Sequence, residues 1–346
     1  MKQCRDMARR RLLIAAAGGA IAPPLHAQSR WPHATLDGKP PKVIAHRGAS
    51  GYRPEHTLAA YELAIEQGTD FVEPDLVVTR DGVLIARHEN ELSLATDVAS
   101  WPPFAARRRT QRIDGREVTG WFSEDFLLSE LRMLRATERF ARERPRNAEL
   151  DGRLPIATFD EVVALVARAN ESGQRRIGIY PELKYAEHFA SMGLAPEPRL
   201  AAALKSARQR GDLPVYVQSF ELPALRRFAE LDDAPRVMLL ARPPSEAQLR
   251  ALAGTVQALG VAKALVYPRD ARGAVGEPTT LVQQAHALGL AVHAWTLRSE
   301  DAFLPENLRG QPQRELELFF ATGIDGVFTD FPDAAVAARA ALLQPG

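Results

Sequence analysis

The sequence predicts an α/β protein built as a closed (β/α)₈ (TIM) barrel, with an insertion after its second strand and hairpin. Three observations lead there. Short β-branched or apolar runs alternate about eight times with helix-like segments, the pattern of a parallel sheet with helices outside. A chain of 346 residues suits one such barrel. No G-x-G-x-x-G follows the first strand, which disfavours an open doubly wound sheet.

The strand candidates, in order, are Val43 to Ala45, Phe71 to Val78, Val83 to Ala86, Ile177 to Leu183 and Val215 to Gln218, then Val237 to Leu240, Ala264 to Tyr267, Ala291 to Thr296 and Gly326 to Thr329. Helix-like segments lie between most of them. Thr57 to Gln67 places Leu58, Tyr61, Leu63 and Ile65 on a broad apolar stripe. Thr158 and Glu161 stand in capping-box order. Glu221 to Glu230, Ser245 to Ala253, Thr279 to Leu288 and Asp333 to Leu343 complete the set. Residues 91–153 break the rhythm with Trp101-Pro102-Pro103, Arg107-Arg108-Arg109, Asp114-Gly115 and Trp121, and look helical only from Ser129 to Glu143. Long excursions of this kind often form lids or binding loops.

Residues 1–27 read as a signal peptide. A basic head (Lys2, Arg5, Arg9, Arg10, Arg11) precedes an apolar stretch from Leu12 to Ala22, and Leu25-His26-Ala27 offers a small residue at the exit. The apolar stretch is too short to span a bilayer stably, so no stable membrane insertion is expected. Arg9-Arg10-Arg11-Leu12-Leu13 also suits twin-arginine export. The protein is therefore expected to be exported, periplasmic or secreted, with 28–346 as a single domain. Cleavage would remove five basic residues and Asp6, taking the formal net charge from +1 to −3. The sole cysteine, Cys4, would leave with the peptide, so neither a disulfide framework nor a cysteine-rich zinc module is available. The balanced charge gives no field for nucleic acid. The arginine run reads as a solvated loop, because no aromatic platform interleaves with it. Nothing in the sequence sets an oligomeric state.

The residues able to do chemistry sit at strand ends, the active face of a barrel. His46-Arg47-Gly48 follows the first strand: an imidazole to move protons, a guanidinium fork for phosphate or carboxylate, and a glycine for a sharp turn. Alone, that triplet also fits an ordinary loop. In Glu73-Pro74-Asp75, two carboxylates share one strand face among apolar neighbours. Such a pair resists burial unless a cation joins it, so it reads as a metal site, or else as an exposed strand end. Pro74 predicts a bulge or an edge. Asp81-Gly82 is a hairpin signal, and a hairpin there brings His88 back to the level of Glu73 and Asp75. Glu182 and Lys184 share a face at the end of the third strand. The carboxylate suits a hard-cation site and the ammonium suits a phosphate oxygen, although the two also fit a simple ion pair.

Taken together, His46-Arg47-Gly48, Pro54-Glu55-His56-Thr57, Glu73-x-Asp75, Asp81-Gly82, His88 and Glu182-x-Lys184 resemble the glycerophosphodiester phosphodiesterases. Gln218-Ser219-Phe220, His293-Ala294-Trp295-Thr296 and Thr329-Asp330-Phe331-Pro332 agree, so the resemblance spans roughly residues 42–340. It implies a (β/α)₈ barrel holding one divalent cation, Ca²⁺ or Mg²⁺, with Glu73, Asp75 and Glu182 as ligands. It implies His46 and His88 as general acid and base, Arg47 and Lys184 facing the phosphate, and Glu55 near the metal or a substrate hydroxyl. Trp295 would wall the glycerol or else pack in the barrel core. The expected activity is hydrolysis of glycerophosphodiesters, such as glycerophosphocholine or glycerophosphoethanolamine, to glycerol 3-phosphate and an alcohol. A phospholipase D acting on lysophospholipid or sphingomyelin, and a silent phosphodiester-binding barrel, are the alternatives. The sequence departs from the family at His56, where Asn is common, and at Glu89, where Asp is common. Both departures are expected to be tolerated, as neither is a core catalytic position of the family.

Overall fold

The computed structural model describes residues 31–343 other than 174 and 210; the expected signal peptide, 1–27, lies outside the described residues. Eight parallel strands close into a barrel. They are Lys42–His46; Phe71–Glu73 continuing as Asp75–Val78; Gly178–Ile179 continuing as Glu182–Leu183; Val217–Ser219; Arg236–Leu240; Ala258–Ala262; Ala291–Leu297; and Gly326–Thr329. Each pairs with the next, and the first closes on the eighth from Lys42↔Gly326 to Ala45↔Thr329. Helices cover the outside. Leu58–Glu66 is capped by Thr57, and Phe159–Ser172 by the Thr158/Glu161 capping box. Among the described residues no helix is long and apolar enough to cross a membrane.

The second and third strands are both interrupted at a proline, at the same level. Pro74 has no N–H to give the ladder. Its carbonyl accepts from the Glu182 N–H (2.9 Å), and the Pro181 carbonyl accepts from Gln218 N–H (3.0 Å). Below this level Ile44, Phe71, Tyr180, Val237, Ala258 and Phe328 plug the barrel. Above it the strand ends are polar. The interior is thus divided into a dry floor and a charged mouth by sequence alone.

Three expectations are corrected. Ala264 to Tyr267 is not a strand: the sixth strand is Ala258–Ala262, and Lys263–Val266 is a helical turn. The Ala-Leu-Gly-Val-Ala run has weak strand propensity, but packing overrides it. A Cβ on Gly260 would lie 2.5 Å from the Leu239 side chain, so a small residue is required there. Ser129 to Glu143 is not one helix but a short turn of helix at Leu128–Leu131, followed by irregular chain and a second short helix, Pro145–Ala148. Backbone bridges Thr96↔Ala136 and Arg135↔Pro155 claim the intervening segment. The insertion also holds an unforeseen hairpin, Arg109–Ile113 with Arg116–Gly120, turning at Asp114 and Gly115, both at positive φ. The arginines leading into it lie over aromatic rings after all. Arg107 covers Phe104 and Phe126, Arg108 covers Trp121 and Arg109 covers Phe122, while Arg107 and Arg109 also pair with Glu130 and Asp125.

Candidate active site

The site begins at the end of the first strand. His46 is its last residue, in register with Glu73. The chain then turns through Arg47 (φ 61°) and Gly48 (φ 86°). A side chain on Gly48 would strike the Ala60 backbone at 2.6 Å, so the turn needs glycine. This turn aims the Arg47 N–H at the Glu73 carboxylate (2.8 Å). The Arg47 guanidinium meets Glu55 at 2.8 Å and Asp75 at 3.2 Å.

The hairpin forms as Asp81-Gly82 predicts. Leu84–Ala86 runs antiparallel to Asp75–Val78, and Arg87 N–H returns to the Asp75 carbonyl at 2.9 Å. His88 is thereby brought beside Lys184, with Nε2 to Nζ at 3.2 Å. Lys184 also pairs with Glu182 at 3.0 Å. His46, Arg47, Glu73, His88, Glu182, Lys184, Gln218, Phe220 and Trp295 all line one cavity of about 490 Å³ at the barrel mouth. Trp295 does both things expected of it: half-buried, it packs on the barrel-floor cluster and also walls the pocket, with Phe220 edge-on at 5.7 Å. Glu55 stands outside this lining, buried behind Arg47.

Glu73, Asp75 and Glu182 each offer a carboxylate oxygen within 4.8 Å of the others, and all three are buried. Burial, then the charges of Asp75 and Glu182, hold the Glu73 pKa far above the usual range. Burial likewise raises Glu182 to about 8, with Asp75 adding and Lys184 opposing. For Asp75 burial is outweighed, first by Lys184 and then by His88, His56 and Arg47, so it stays ionised. The donor set therefore fits a cation. Hard oxygens converge, they repel one another without one, and the Gln218 Oε1 beside Glu73 is buried with no hydrogen-bond partner among the described residues.

Both imidazoles are neutral at pH 7. Burial, followed by Arg47, lowers His46 to about 4, and burial with Arg47 and Lys184 lowers His88 to about 3. Each gives its Nδ1–H to a carboxylate: His46 to Asp330 (2.6 Å) and His88 to Glu89. That fixes the tautomer: His46 Nε2 carries its lone pair into the cavity, while His88 Nε2 accepts from the Lys184 ammonium at 3.2 Å.

Sequence reasoning gave Asp330 no role and set Glu89 and His56 aside as tolerated departures. His56 Nε2 in fact bonds Asp75 (2.9 Å), and its Nδ1 meets the Tyr61 hydroxyl (2.8 Å). The replacements keep a polar group at each position, but both positions support the site directly. Asp330 and Gln218 were visible as motif residues without a function. Arg139 and Arg144, which reach the site from the insertion, carry no local signal.

A sequence model of the glycerophosphoryl diester phosphodiesterase family matches residues 46–334. The chain belongs to this family of phosphodiester hydrolases. It is 33% identical to a glycerophosphodiester phosphodiesterase of Arabidopsis thaliana, over 92% of each chain. It is 32% identical to one of Haemophilus influenzae, over 85% of this chain and 88% of that one. Among solved structures, a protein of Silicibacter pomeroyi superposes with TM-score 0.64 over 91% of this chain and 96% of that one, at 22% identity. A phosphodiesterase of Oleispira antarctica, in complex with the product sn-glycerol-3-phosphate, has TM-score 0.60 over 88% of this chain and 98% of that one, at 24% identity. These two support the barrel fold of the family.

Proposed function

We propose that this phosphodiesterase hydrolyses glycerophosphodiesters, glycerophosphocholine and glycerophosphoethanolamine among them, to glycerol 3-phosphate and an alcohol, and that it requires Ca²⁺ or Mg²⁺. The observation that carries the proposal is the gathering of three buried carboxylates beneath two neutral imidazoles whose Nδ1 atoms are already tied.

Glu73, Asp75 and Glu182 would hold the cation. When bound, it would offset the negative charge of the phosphodiester and of its transition state. Arg47 and Lys184 face the same cavity and oppose the same charge; both stay protonated, because surrounding carboxylates outweigh the effect of burial. One imidazole takes the proton of the attacking oxygen at its Nε2. The other, protonated once the anionic substrate enters, gives a proton to the leaving alcohol. Each step is worth roughly 10²- to 10⁴-fold. We take the attacking oxygen to be the glycerol 2-hydroxyl, giving a cyclic phosphate that water then opens. Phe220 and Trp295 offer the carbon skeleton an apolar wall. Export directed by residues 1–27 belongs to the same proposal, and N-terminal sequencing of the exported protein, expected to begin at Gln28, tests it.

The test is turnover of glycerophosphocholine with and without chelator. Activity should vanish in chelator and return with calcium or magnesium. His46→Ala and His88→Ala should each lower kcat by about 10²-fold or more. Full activity in excess chelator, or variants that change binding alone, would overturn the reading. Greater turnover of lysophospholipid or sphingomyelin would move the substrate class to lipids.

A further inference from the structure

We infer that the insertion is a working part of the catalytic apparatus, because two of its arginines, Arg139 and Arg144, position the two imidazoles by clamping the carboxylates that orient them. The inference rests on the reading of His46 and His88 as acid and base.

The arrangement repeats on both sides of the cavity. Asp330 accepts from His46 Nδ1 through one oxygen; its other oxygen is taken by Arg144 and by Arg298 Nε (2.6 Å). Glu89 accepts from His88 Nδ1, and Arg139 forks across both Glu89 oxygens. The two arginines come from one short stretch of the insertion, while the imidazoles come from the first strand and the hairpin. Each imidazole–carboxylate pair is thus completed by the same added segment.

Neither arginine is a surface ion pair. The Arg144 side chain is 3% exposed. Its other nitrogens meet Glu300 (2.6 Å) and the Ser50 carbonyl (2.8 Å), and its plane lies over the Phe140 ring at 5.0 Å. Asn147 Nδ2, from the helix after it, binds the same Ser50 carbonyl at 3.0 Å. The Arg139 side chain is 16% exposed and also grips Glu55, at 2.9 Å from Nη2. Glu55 in turn holds the Arg47 guanidinium. A carboxylate with one free oxygen can rotate and let its imidazole swing or change tautomer. Arg139 holds both Glu89 oxygens with its planar fork, and single contacts from Arg144 and Arg298 hold the second Asp330 oxygen, so neither carboxylate turns freely. Arg139 and Arg144 touch no cavity-lining position assigned to substrate, so they are positioning residues.

The experiment uses the full-length, metal-loaded enzyme with glycerophosphocholine, and ¹⁵N-histidine NMR with the His46→Ala and His88→Ala spectra as assignments. Arg144→Met should lower kcat about 10- to 100-fold, with KM within about twofold. It should also disturb the Nδ1–H tautomer signal of His46 while leaving that of His88 alone. Arg139→Met should do the reverse. The Lys variants should recover part of the loss, and added guanidinium should recover part of it in Arg144→Ala. Combining Asp330→Asn with Arg144→Met should cost no more than the worse single change, because both act through one imidazole. If kcat stays within about threefold of the parent, the inference is overturned. It is equally overturned if both imidazole signals broaden together in a protein of lower melting temperature, which is what a purely structural role would produce. If instead His46→Ala and His88→Ala keep full turnover, the acid–base reading itself falls, whatever the arginine variants do.

Discussion

Glu182→Gln should make the metal-free protein more stable while removing its activity. In wild-type protein with chelator, Glu182 is 6% exposed and its pKa is raised to about 8 by burial, with Asp75 adding and Lys184 opposing. The same side chain in an unfolded chain titrates near 4.5. Below pH 4.5 it is neutral in both states and costs nothing. Between pH 4.5 and 8 the folded protein keeps a proton that the unfolded chain has released, so folding loses about 1.4 kcal/mol per pH unit. At pH 7 the loss is about 3 kcal/mol. Glutamine keeps the shape of the neutral acid and does not titrate. The variant should therefore melt about 5 °C above the parent in chelator at pH 7, with the gap shrinking towards pH 5. Calcium or magnesium should raise the melting temperature of the parent far more than that of the variant, and metal-supported turnover should fall by about 10²-fold or more. Calorimetry with and without metal measures both. A variant that melts below the parent in chelator, yet is still stabilised by the cation, would show that these three carboxylates coexist comfortably and are not built around a charge.

Other perturbations test separate parts of the argument. Gly48→Ala meets the Ala60 backbone at 2.6 Å and a φ of 86°, so it should cost about 1–3 kcal/mol in a urea titration and move His46 and Arg47 off position. His56→Ala removes one of the partners of Asp75 and should weaken cation affinity about 10- to 100-fold by calorimetric titration. His293 lies fully buried against the Tyr180 hydroxyl, and burial lowers its pKa to about 3. Its contribution is therefore complete above pH 6.5 and is lost by about 1.4 kcal/mol per unit as pH falls towards 3. In His293→Gln, the urea midpoint should fall less between pH 7 and pH 5 than it does in the parent.

Much of the barrel was legible because local signals agreed with the global fold. Thr57, Thr158 and Ser245 cap helices as their side chains suggest, and Asp81-Gly82 makes its hairpin. The sixth strand was missed because Leu265-Val266-Tyr267 has the stronger strand propensity, while Gly260 is there to make room for Leu239. The helices Pro196–Arg208 and Pro312–Ala321 were passed over, although each opens on a proline, the residue that starts helices without wasting an N–H. At the site, Glu73, Asp75 and Glu182 could be read from strand alternation, since i and i+2 share a face. Asp330 could not be tied to His46, because that contact depends on barrel closure. Arg139 lay in a segment whose expected helix, Ser129 to Glu143, does not form, and Arg144 lay just past its end, so neither direction had a periodic signal to follow.

Closing the barrel also sets a time order. His46 and the carboxylate that orients it stand 284 residues apart in the chain. Arg339, in the last helix, then fastens to the Pro41 carbonyl and to Asp70, next to the first strand. A polypeptide still emerging from the ribosome, with its first three strands complete, would hold the acidic cluster and both imidazoles but lack the group that aims one of them. A chain that stops short of the eighth strand therefore lacks the carboxylate that aims His46.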